Sequence, residues 1–73
     1  MTGPDQLKAW RVNNNLTQKQ AAERASMSQS IWSDYENGRK QPGIDQGLRL
    51  EQVTGGAVPL ASWAEVKLTG TEG

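Results

Sequence analysis

Apolar residues fall in short bursts at helical spacing, and each burst is closed by polar caps or glycine. The first burst predicts a helix over residues 4–13, in which Leu7 and Trp10 share a face with Asn14. Pro4 suits its first turn, and Asp5 suits the positive end of its dipole. Asn13, Asn14 and Asn15 end it, and Asn15 can turn left-handed cheaply. Thr17 and Gln20 then fit the capping-box pattern of a second helix. Its Ala21, Ala22 and Ala25 form a small-residue face that lets another helix come close. Ser26 and Met27 make a turn, and Ser28 caps a third helix. That helix turns Trp32 and Tyr35 inward, with Ile31 nearby, and Asn37-Gly38 closes it.

After a polar loop, Arg39-Lys40-Gln41-Pro42-Gly43, a fourth helix is predicted over residues 44–54. Ile44, Leu48 and Glu51 lie on one stripe, with Leu50 and Val53 beside it. Gly47 in its middle costs about 1 kcal/mol relative to alanine, which predicts close packing there. Gly55-Gly56 stops the helix. Residues 59–64 predict a single helical turn carrying Leu60 and Trp63. Residues 65–69 alternate polar and apolar as an edge strand would, and residues 70–73 read as a disordered end. The expected fold is all-α, a compact bundle of four to five helices. Residues 1–57 form the domain, and 58–73 a tail open to an extended conformation. Leu60, Trp63, Val66 and Leu68 in that tail either fold back or make a dimer contact.

Composition removes whole classes of chemistry. A chain of 73 residues makes one small domain. It has no cysteine and no histidine, so disulfides, thiolate or imidazole metal sites and serine triads are excluded. No phosphate-cradling glycine loop or pocketed carboxylate pair is visible, so no enzyme, cofactor or metal site is expected. No apolar run approaches the roughly 20 residues that span a bilayer, and the start of the chain is not apolar; a cytoplasmic protein is the expectation. Net charge is zero, but residues 1–43 carry +2 and residues 44–73 carry −2. The basic half holds the helical pair.

The pieces LKAWRVNNNLTQ, QKQAAERASMSQSIWSDYENG and the RKQPG loop together resemble the Cro/CI-type, or lambda-repressor-like, helix-turn-helix family. The resemblance runs from Leu7 to about Thr54, and RLEQVTGGAV looks like small phage Cro-like regulators more loosely. It implies that Gln29, Ser30 and Asp34, with Ser33 beside them, face DNA base edges. It implies that Gln18, Asn37, Arg39 and Lys40 meet the sugar-phosphate backbone, Gln18 also bracing the first recognition residue. It implies a structural ion pair between Arg11 and Glu36. Two departures stand out: Ser26 occupies a turn position usually held by glycine, and Ala21 one often held by leucine.

The chemistry of these side chains suits those roles to different degrees. Gln29 can pair bidentately with an adenine edge, whereas Ser30 discriminates poorly. Asp34 can accept from a cytosine amino group, reject wrong sites, or simply pair with Arg39. Ser28 caps its helix with or without DNA, and the N–H groups beside it can hold a phosphate. Trp10, Trp32 and Tyr35 have the spacing of core residues rather than of a stacking platform. The leading expectation is a sequence-specific regulator of duplex DNA, a phage-type repressor binding operator half-sites as a homodimer in a bacterial or phage-infected cell. Two alternatives stay open: the antitoxin of a toxin–antitoxin pair, and an interaction module that has lost DNA binding.

Overall fold

The computed structural model describes residues 2–63. Four α-helices follow one another: α1 (Gly3–Asn13), α2 (Gln18–Arg24), α3 (Gln29–Glu36) and α4 (Ile44–Val53). A single 3₁₀ turn, Leu60–Trp63, comes after them. The strand expected over residues 65–69, with Val66 and Leu68, and the disordered end expected over 70–73 lie outside the described residues. None of the described helices is long and apolar enough to cross a membrane.

Local chemistry sets the helix ends. At α2 both halves of the capping box form: Gln20 N–H donates to Thr17 Oγ1 (3.1 Å), and Thr17 N–H donates to Gln20 Oε1 (2.9 Å). At α3 the Ser28 hydroxyl oxygen accepts from Ile31 N–H at 3.2 Å. Asn15 leaves α1 in the left-handed region (φ 56°), and Gly38 does the same after α3 (φ 73°). Ser26, between α2 and α3, also has positive φ (58°), a conformation that glycine would adopt with less strain.

The core is small and built around rings. Leu7, Ala21, Ala22, Ala25, Trp32, Tyr35, Leu50, Val58 and Trp63 are buried together. α3 packs between α1 and α2, with the alanines of α2 permitting its close approach. Trp10 packs on Trp32 with ring centroids 6.2 Å apart. The core continues beyond α4. Thr54 Oγ1 donates to the Leu50 carbonyl (2.7 Å) and accepts from Val58 N–H (3.1 Å), which turns the chain back.

Trp63 folds back onto the bundle. Its ring lies against Tyr35, with centroids 5.9 Å apart, and covers Gly3, where a Cβ would come within 2.6 Å of the indole. Gln41 Nε2 donates to the Trp63 carbonyl at 2.5 Å, and Leu60 N–H donates to Glu51 Oε1 at 2.9 Å. This return decides which face of α4 is covered. Ile44 and Leu48 do not face the core; they are 69% and 43% exposed. The inward face is Gly47, Leu50 and Thr54 instead. The reason is Leu60, whose Cδ1 occupies the space that a Gly47 Cβ would need.

Candidate nucleic-acid interface

The α2–turn–α3 unit puts its polar and apolar halves on opposite sides. Ala21, Ala22 and Ala25 are buried, and Met27 N–H donates to the Ala22 carbonyl (2.9 Å) to close the turn. Trp32 and Tyr35 then anchor α3 from behind. Gln29 and Ser30 are exposed at its start, and Ser33 and Asp34 are half-buried one turn further on. A shallow concavity of about 310 Å³ collects Gln18, Gln29, Ser30, Ser33, Asp34 and Arg39 on one surface. Ser28, Asn37 and Lys40, the other candidates, are exposed but do not line it.

One carboxylate joins this surface to the interior. The Glu36 side chain is 3% exposed and accepts from Arg11 Nε (2.6 Å) and Nη2 (3.2 Å), from Gln18 Nε2 (3.1 Å) and from Trp32 Nε1 (2.5 Å). Arg11 also donates through Nη1 to the Leu16 carbonyl at 3.0 Å. Burial alone would raise the Glu36 pKa. The hydrogen bonds from Arg11, Trp32 and Gln18, together with the Arg11 charge, outweigh it and hold the carboxyl below its ordinary value. In this state the Gln18 amide is engaged by Glu36.

Two residues earlier in the same last turn of α3, the Asp34 carboxylate sits near two cations. Lys40 Nζ is 3.6 Å from it and Arg39 Nη1 is 3.9 Å away. The Asp34 carbonyl also accepts from Arg39 N–H at 2.9 Å, which fixes where the basic loop leaves the helix. Both cationic side chains are well exposed, so these pairs are weak and open to competition by phosphate. Asn37 Nδ2 donates to the Ser33 carbonyl (2.9 Å) and hydroxyl (3.1 Å), holding Ser33 from below. The Tyr35 phenol is pushed above its ordinary pKa, first by burial and then by the Asp34 charge.

Residues 5–55 match the family described as a helix-turn-helix domain. The chain belongs to that family. No curated protein and no solved structure gives a significant match. The matched stretch includes α2, the tight turn and α3, whose first residues, Gln29 and Ser30, are exposed. Sequence reasoning had paired Arg11 with Glu36 but missed that Gln18 and Trp32 converge on the same carboxylate. The Trp32/Glu36 spacing of one helical turn was the signal available for half of that cluster. Gly3 and Gln41, which hold Trp63, gave none. Among the described residues, no cluster of His, Cys, Asp and Glu could hold a metal ion.

Proposed function

We propose that this protein reads duplex DNA in a sequence-specific way and acts as a Cro-like transcriptional repressor, occupying operator half-sites as a dimer. The observation that carries this reading is the two-sided α3: an open polar edge backed by two buried rings. A helix so mounted can enter a major groove without disturbing the core. Gln29 offers the bidentate donor and acceptor that suit adenine, and Ser30 and Ser33 add adaptable hydroxyls. Asp34 has two uses: accepting from a cytosine amino group, and repelling phosphate when the helix sits wrongly. Ser28 lies at the positive end of α3, and Gln18, Asn37, Arg39 and Lys40 surround that helix where the phosphate backbone would pass.

Selection of bound duplexes from a random library tests the reading. A two-fold symmetric consensus supports it, and recovery without any consensus removes sequence reading. A salt titration on random duplex separates it from an interaction module. A DNA reader binds weakly at low salt and loses that binding as salt rises. No binding at low salt favours the module.

A further inference from the structure

The outer face of α4 has a pattern that the bundle does not use. Ile44 and Leu48 stand one helical turn apart and are 69% and 43% exposed. They are two of the exposed large hydrophobic residues on the described surface, and they share one stripe. Asp45 and Arg49 flank that stripe with the same spacing and are also exposed. Opposite charges four apart on a helix can pair with each other, yet among the described residues neither makes a salt bridge. Arg49 makes only a long contact, 3.5 Å, to the Ala25 carbonyl.

We propose that this face of α4 docks a second copy of the chain, the two α4 helices packing antiparallel about a two-fold axis. Self-complementarity is the argument. In a two-fold contact, residue i meets j while j meets i. Antiparallel α4 helices can set Ile44 against Leu48 of the other copy, and Leu48 against Ile44. The same arrangement brings Asp45 and Arg49 of each copy to one flank, each facing its opposite charge. The apolar and the ionic pairing call for registers two residues apart, a slide of about 3 Å between the helices, which the long Arg49 side chain spans. A parallel arrangement would put the two charged flanks on opposite sides of the contact, where Asp45 and Arg49 of the two copies could not pair. Two side chains cannot supply the about 800 Å² per partner of a standard interface, so the pairing is weak in free solution and is strengthened when DNA holds two copies side by side. The inference names the contact surface of the proposed dimer and rests on the DNA reading only for that last step.

The test uses the full chain without DNA. Sedimentation equilibrium from micromolar to millimolar concentration should show the average mass rising from one chain towards two. NMR signals that shift on dilution should centre on Ile44 and Leu48. Asp45→Arg and Arg49→Asp should each weaken association about tenfold, and the double variant, which restores opposite charges across the axis, should recover most of it. Melting curves of the variants should stay close to wild type, since both positions are exposed. A single-chain mass at millimolar concentration, shifts centred elsewhere, or a double variant no better than the singles overturns the proposal. The first of those outcomes would leave α4 to a different partner. With no DNA present, these results stand apart from the duplex-binding tests.

Discussion

Glu36 draws donors from α1, α2 and its own helix α3 onto one buried carboxylate. Because the folded state holds its pKa below the ordinary value of about 4.5, it binds protons less readily when folded. Its contribution to stability is therefore complete above that ordinary value and is lost as pH falls through the lower, folded value. Glu36→Gln should destabilise the fold by about 3 kcal/mol at neutral pH. The gap to wild type should narrow in thermal melts taken on acidification below about pH 4.5; a gap constant with pH would contradict the assignment. Ser26 gives a prediction of the opposite sign. Its left-handed backbone (φ 58°) suits glycine better, so Ser26→Gly should raise stability by about 0.5–1 kcal/mol in denaturant titrations. At Gln29, substitution by alanine should cost roughly 1–3 kcal/mol on the selected duplex and relax one base position. Arg39→Ala should weaken all duplexes alike and reduce the salt slope by about one. At this scale the sequence was informative where chemistry is local. Caps, left-handed positions and the candidate polar edge of α3 all depend on near neighbours.

The helix scale exposes the limit of such reading. Within α4 only Gly47 hinted at which face is covered. Ile44 and Leu48 make an apolar stripe of their own, yet they are exposed while Gly47, Leu50 and Thr54 are covered. The choice is made by Leu60 and Trp63, residues beyond the helix that return to lie along it. Gly47 did forecast a close approach, though not of what. The two glycines that meet this turn should respond differently to alanine. At Gly3 the added methyl meets the rigid, buried indole of Trp63 at 2.6–2.9 Å, so Gly3→Ala should cost about 1–3 kcal/mol. At Gly47 it meets the end of a flexible, half-buried leucine, and the gain in helix propensity of about 1 kcal/mol offsets the crowding. Gly47→Ala should stay within about 1 kcal/mol of wild type. Equal losses in urea melts would show that Leu60 is held as firmly as Trp63.

Taken whole, the molecule has little interior to lose. Trp32 is wholly buried at the junction of α1, α2 and α3, and Trp32→Ala should cost roughly 3–5 kcal/mol, enough to leave a small domain largely unfolded by circular dichroism. Retained melting behaviour would place the ring outside the core. The chain's zero net charge says little at this scale, because Arg39 and Lys40 on the exposed side of α3 are arranged around one carboxylate, Asp34. Asp34→Asn should raise affinity for random duplex about three- to tenfold at low salt, read by fluorescence anisotropy. The bond between Gln18 and Glu36 carries one more consequence. The polar surface around Gln18 and the packed centre at Trp32 share a single acceptor, so loosening one weakens the hold on the other. Amide exchange along α3 should then follow whole-chain opening rather than local fraying.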